Sequence, residues 1–222
     1  MSSFDLNVIL RVITAPNSAF VQIRDNEEKY FVQSIGLLIL ASVLSAFVLL
    51  PFIMIPLDGV YFEGVDDVDL PTEESDMILT VGGSILKGIV SVVLFYFIGK
   101  KIGGSTNWKK VFSVIFHTYV PVIPMMIIFS ILMFLMWNSL AAIDPSYLMA
   151  PGVNEEQMLS VVGPMLGYAG LIAVVAIVFV AWVFAVSVKA VKIVNGFGTP
   201  KALGLIILVM IISSIVSIPF GM

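Results

Sequence analysis

The sequence predicts an all-α fold: a polytopic membrane helix bundle of five transmembrane helices, preceded by a short amphipathic N-terminal segment. Three observations carry this. The 222 residues are 59% hydrophobic and only 12% charged, against about 25% charged in a soluble domain. Apolar runs recur, and the longest clear one, Val111–Ile143, holds no formal charge in 33 residues. A bilayer core of ~30 Å needs about 20 apolar residues as a helix. Finally, ten of the eleven Lys and Arg residues fall in alternate connecting segments.

Residues 1–29 form the amphipathic start, expected on the cytoplasmic side. Phe4, Leu6, Val8, Ile9, Leu10, Val12 and Ile13 are interrupted by Asp5, Asn7 and Arg11, and Ala15-Pro16-Asn17 reads as a turn. A helix lying in the membrane interface and a soluble cap on the bundle both fit. No secretory signal pattern is expected here, because the first long apolar run follows mixed charges.

The membrane domain is expected over 30–222. The first span, about 30–57, carries Gly36, Ala41, Ser42, Ser45 and Ala46, small residues that admit a close neighbour. Pro51 and Pro56 bend or end it. The loop from Asp58 to Asp76 carries eight acids and no Lys or Arg. It lacks the ordered spacing and the glycine of a calcium loop, so it reads as solvated.

The second span, about 77–99, contains Lys87. Lys100–Lys110 holds four lysines, with Gly103-Gly104-Ser105 as a turn. The third span, about 111–137, is the uncharged run. In it, Pro121 deprives the His117 carbonyl of its helical donor, and Pro124 does the same to Val120. The loop 138–156 is again acidic, with Pro145 and Pro151 against a long helix.

The fourth span, about 160–190, lies within 32 uncharged residues, Gln157–Val188. That exceeds one crossing and falls short of two. One long helix is expected, weakened near Pro164 and running to about Val194. The turn Asn195-Gly196-Phe197-Gly198-Thr199-Pro200 stops it, with Thr199 as a candidate N-cap. The fifth span is about 201–219.

Five spans put the termini on opposite faces. The basic residues outside the spans all lie on the face of the N-terminus, and eleven of the fifteen acids lie on the other. By the positive-inside rule the N-terminus is cytoplasmic and the C-terminus is outside a cell membrane.

The candidate chemistry is an intramembrane polar cluster: Lys87, His117, Tyr119, Val120, Pro121 and Pro124. A charge deep in a span is costly and functional by default. No Asp or Glu lies inside a span to pair with Lys87, so the freed carbonyls of His117 and Val120 are its expected acceptors, alongside Tyr119. The structural reading, a polar contact pinning two helices, competes with this. His117 is the only histidine and there is no cysteine, so a metal site lacks ligands. No phosphate loop, paired carboxylates or Ser-His-acid set occurs. No catalytic, cofactor-binding or metal residue is expected, and no cofactor or nucleic acid.

Three stretches resemble the Yip1 domain family (Yip, Ypt-interacting protein). They are Ala15-Pro16-Asn17-Ser18-Ala19-Phe20, Phe112 to Pro121 (FSVIFHTYVP), and Val191 to Ala202 (VKIVNGFGTPKA). The eukaryotic members act in vesicle trafficking and bind prenylated Rab GTPases. This chain departs from them: it lacks their long N-terminal region and their Asp-Leu-Tyr-Gly-Pro signature, so GTPase binding is not carried over. It resembles the prokaryotic branch. The resemblance implies a non-enzymatic integral membrane protein that self-associates or binds membrane partners, possible partners being the bilayer, copies of itself and other membrane proteins. The alternative is a small-solute or ion transporter or channel, with a pathway near Lys87 and the proline-broken third span.

Overall fold

A computed structural model describes residues 4–48, 74–105, 107–141 and 155–217. Every regular element among them is helical: α1 (Leu6–Thr14), α2 (Pro16–Asp25), α3 (Glu27–Phe47), α4 (Glu74–Lys101), α5 (Trp108–Phe116), a 3-10 turn (His117–Tyr119), α6 (Val122–Ala141), α7 (Glu155–Asn195) and α8 (Thr199–Ser217). Together they make a helical bundle. Among the described residues, four stretches are long and apolar enough to cross a membrane: Glu27–Phe47, Ile78–Lys101, Trp108–Ser139 and Gly163–Asn195. Thr199–Ile215 is a shorter apolar helix. Pro51, Pro56, the acidic loop to Glu73, Asp144, Pro145 and Pro151 lie outside the described residues.

The helix ends follow local chemistry. Asp5 caps α1 by accepting the Val8 N–H, and Asn107 caps α5 by accepting from Lys109 and Lys110. Helix α4 closes at Gly103, which has φ +89°. The Gly104 N–H reaches the Gly99 carbonyl at 2.8 Å and the Gly103 N–H reaches that of Lys100 at 3.1 Å, the paired bonds of a Schellman end. Helix α7 ends the same way: Gly196 has φ +68°, and the Phe197 N–H bonds the Lys192 carbonyl. Glycine adopts such positive φ without the Cβ clash that other residues meet. One expectation shifts: α8 opens at Thr199 itself, so Thr199 is its first residue and not its N-cap. The Thr199 hydroxyl instead accepts the Lys192 ammonium at 2.8 Å.

The described packing is concentrated toward the lysine-bearing end. Helix α3 packs on α4, α5 and α6, while α2 lies against α5 and α7. Val8 and Val12 of α1, and Ala19, Phe20 and Ile23 of α2, are buried in the same core as Val111, Val114 and Phe116 of α5 and Ala190, Val191 and Val194 of α7. The N-terminal segment is therefore two short helices packed against the bundle. Away from that end the helices open: only 6% of the apolar window of α7 and 11% of that of α4 is buried. A hydrocarbon solvent tolerates such open apolar faces, because lipid tails are as apolar as leucine.

Candidate functional site

The break in the third span is where the polar chemistry gathers. The helix α5 stops at Phe116 and a 3-10 turn covers His117–Tyr119. The Val120 N–H bonds the His117 carbonyl at 3.2 Å. That carbonyl, expected to be an orphan because of Pro121, is satisfied by the tighter i→i+3 bond. Pro121 is buried and Pro124 half-buried in the first turn after the break.

His117 is fully buried. Its Nδ1 lies 2.6 Å from the Ser113 carbonyl and 3.3 Å from Ser34 Oγ. A carbonyl can only accept, so Nδ1 carries a proton. Ser34 in turn donates to the Tyr30 carbonyl at 2.7 Å. The Tyr30 ring stands edge-on to the imidazole, 6.0 Å between centroids at 89°. Nε2 is buried and has no hydrogen-bond partner among the described residues. Phe31, Phe112 and Phe116 lead toward this turn from Trp108 at the start of α5.

Lys87 does not join this cluster. It is exposed on the outer side of α4, and among the described residues it has no hydrogen bond or ion pair. Its neighbour Gly88 is the residue that faces inward: a Cβ there would lie 3.2 Å from the Tyr119 hydroxyl and 2.5 Å from Leu38 Cδ1. One residue of helix turns the side chain by about 100°, which carries the lysine away from the carbonyls of His117 and Val120. The structure thus brings together His117, Tyr119, Val120, Pro121 and Pro124, and leaves Lys87 apart.

Polar residues of α1 to α3 extend the cluster toward the lysine-bearing end. Tyr30 Oη donates to Asp5 Oδ2 at 3.1 Å and accepts from Gln22 Nε2 at 2.7 Å. Lys29 Nζ bonds Asp5 Oδ2 at 2.9 Å, and Gln22 Oε1 accepts from Arg11 at 2.8 Å. Gln33 clasps the backbone of Asp5, accepting its N–H at 3.2 Å and donating to its carbonyl at 3.3 Å. The Lys29 ammonium is the main cause that holds the Asp5 carboxyl below the usual carboxylate range; burial opposes it, and the Val8 N–H and the Tyr30 hydroxyl add smaller help. A group with a depressed folded pKa stabilises above its unfolded pKa, about 4 for aspartate, and that contribution is lost as pH falls through the folded value. The docking of α1 on α3 is therefore expected to be pH-independent near neutrality and to weaken only below about pH 4. Hydrogen exchange at the Val8 amide between pH 6 and pH 3 measures this; equal protection throughout would contradict it.

Two basic residues of the connecting segments bond carbonyls near helix ends. Arg24 donates to the Ile193 carbonyl of α7 at 3.3 Å, and Lys201 to the Ile102 carbonyl beyond α4 at 3.1 Å. Cations at helix C-termini are favourable. Lys109 pairs with Glu28 at 2.7 Å, and Asn107 donates to Glu27 at 2.9 Å. Asn195 sits at the junction of α4, α7 and α8. Its Oδ1 accepts the Ser105 N–H at 3.1 Å and its amide donates to the Val191 carbonyl at 3.2 Å.

Sequence reasoning missed Asp5, Gln22, Tyr30, Gln33 and Ser34. The signal was present at Gln33 and Ser34, two polar residues inside the first apolar run, since buried polar groups need partners. Nothing local indicated that Asp5 would be the partner of Gln33 and Tyr30.

A sequence model of the Yip1 domain matches residues 10–219, nearly the whole chain. No curated protein matches the chain, and no solved structure does.

Proposed function

The chain belongs to the Yip1 domain family, and on that footing we propose that it is a non-enzymatic integral membrane protein that organises the bilayer or binds other membrane proteins through its outward helix faces. The observation that carries this reading is the openness of the spans. The 33-residue stretch Gly163–Asn195 has 6% of its apolar window buried, with Leu171, Val174, Ile177, Val178 and Val180 all exposed. A helix committed to so little internal packing offers its length to lipid or to a neighbouring protein.

The transporter reading is less well supported. Transporters build their sites from polar groups near the midplane, beside broken helices. Here the break is present, but His117 is enclosed by Tyr30, Ser34 and Ser113, and Lys87 points outward. A shallow hollow of about 440 Å³ on α7 is lined by Ala176, Ile177, Val180, Ala181 and Phe184, none of them polar. We read His117, Tyr119, Val120, Pro121 and Pro124 as a pin between α3 and the broken span.

In the proposed arrangement α8 is the fifth crossing and the lysine-bearing end is cytoplasmic. The chain has no cysteine, so single cysteines report cleanly. A cysteine in the 142–154 segment should react with an impermeant maleimide added to intact cells, and one at Lys101 should not; the reverse pattern would overturn the orientation. For the function, reconstituted protein carrying donor and acceptor dyes should show energy transfer above that of randomly diluted proteins, without solute flux. Flux abolished by Lys87→Leu would instead establish transport.

A further inference from the structure

We propose that the uncovered half of α1 is an in-plane lipid wedge, seated at the headgroup–acyl boundary of the leaflet on the lysine-bearing side. Three observations converge on it.

The first is the width of the apolar face. At about 100° per residue, Val8, Val12, Ile9, Ile13, Leu6 and Leu10 form one continuous apolar arc of about 200°. Asn7, Arg11 and Thr14 occupy the rest. The bundle covers only one side of that arc: Val8 is 1% and Val12 0% exposed, against 65% for Leu6 and 60% for Leu10. A helix needing only to dock on the bundle would not carry apolar residues beyond the docking face.

The second is depth. The main chain of Asp5 is clasped by Gln33, six residues beyond Glu27, so about 9 Å along α3 at 1.5 Å per residue. Phe4 reaches further, with Cε2 at 3.8 Å from where a Cβ on Gly36 would lie. Helix α1 also packs on the His117–Tyr119 turn, nine residues past the start of α5 at Trp108. Interfacial helices bury their apolar face about 5–10 Å into the headgroup–acyl boundary, comparable to the distance of about 9 Å from the start of α3 to the Gln33 clasp.

The third is continuity. Val32, Ile35, Gly36 and Ile39 share one face of α3, and Val32 is 62%, Ile35 37% and Ile39 46% exposed. Phe4, itself 51% exposed, lies against this face at Gly36. Exposed Phe4, at the entrance to α1, thus joins the exposed apolar face of a helix long and apolar enough to span, which argues for the bilayer as the occupant of the bare side of α1. Inserted on one leaflet only, α1 widens the protein there. The wedge does not depend on whether the protein self-associates.

Single cysteines at Leu6, Leu10, Asn7 and Thr14 in the full chain, each carrying NBD and reconstituted in phosphatidylcholine–phosphatidylglycerol vesicles, test it. All four positions are exposed, so the substitutions disturb no core. Spin-labelled lipid with its nitroxide high on the acyl chain should quench the Leu6 and Leu10 labels, and aqueous iodide should lose access to them. The Asn7 and Thr14 labels should respond to iodide. Iodide reaching Leu6 and Leu10 as readily as Asn7 would show an aqueous face and overturn the proposal. Protection from both quenchers would show cover by protein, a second copy included, and would overturn it equally.

Discussion

Phe20→Ala is expected to destabilise the folded protein by about 3–5 kcal/mol, the range for emptying an aromatic site in a packed core. Phe20 is fully buried and belongs to α2, which lies against both α5 and α7. Its ring is thus one of the buried contacts that tie the N-terminal pair of helices to the rest of the bundle. Removing it leaves a cavity that rigid neighbouring helices cannot fill, because interiors relax only partly around lost volume. The loss should appear as a lower midpoint of denaturant unfolding in detergent micelles, and as faster hydrogen exchange throughout α1 and α2 while α4 stays protected. Val21 is the matched control: it is 39% exposed on the same helix, so Val21→Ala should change stability by no more than about 0.5 kcal/mol. Equal effects from the two substitutions would show that α2 is not docked as described.

The second large effect is expected at Gly88. A Cβ there would meet Leu38 Cδ1 at 2.5 Å and the Tyr119 hydroxyl at 3.2 Å. Alanine requires the Leu38 methyl to shift, and Leu38 is 3% exposed in α3, with little free space to move into. Valine adds two further carbons in the same gap. Overpacking of this kind costs typically about 1–3 kcal/mol, and here it also pushes α4 away from the break in the third span. Gly82, a turn and a half earlier on α4, would meet nothing within 4 Å. Gly82→Ala should therefore stabilise slightly, since alanine favours helix over glycine by about 1 kcal/mol. Thermal unfolding of the pair of variants separates the cases. Opposite signs are expected, and a destabilised Gly82→Ala with a neutral Gly88→Ala would exchange the inner and outer faces of α4.

These two glycines mark the limit of sequence reasoning. Both lie in one apolar run, and nothing in the residues around them tells the two apart. One is at the contact with α3 and Tyr119 and the other faces outward. The same ambiguity applies to Lys87, which is exposed while its neighbour Gly88 faces Tyr119 and the break in the third span. In a soluble protein the polar face of a helix reveals its outer side. In a membrane the outside is as apolar as the core, so that periodic signal vanishes.

The N-terminal pair shows the converse. Its alternating apolar and polar residues were legible as amphipathic, and the expected turn Ala15-Pro16-Asn17 falls on the joint between α1 and α2, with Ala15 alone between the helices and Pro16 and Asn17 opening α2. What covers each apolar residue was not legible, because Val8 and Val12 face the bundle while Leu6 and Leu10, of the same type and nearly adjacent, do not.

By itself the sequence determined whatever is written in backbone chemistry and in bulk hydropathy. That includes the membrane class, the break before Pro121, and the stops at Gly103 and Gly196. Each follows from a missing N–H, a positive φ or a run of apolar residues, none of which needs a distant partner. Only the tertiary structure decided which side of each helix turns inward, that Asp5 meets Gln33 and Tyr30, and that the His117 carbonyl is closed from within. Those depend on the rotation of helices about their own axes, a degree of freedom that a uniformly apolar sequence leaves open and side-chain packing alone sets.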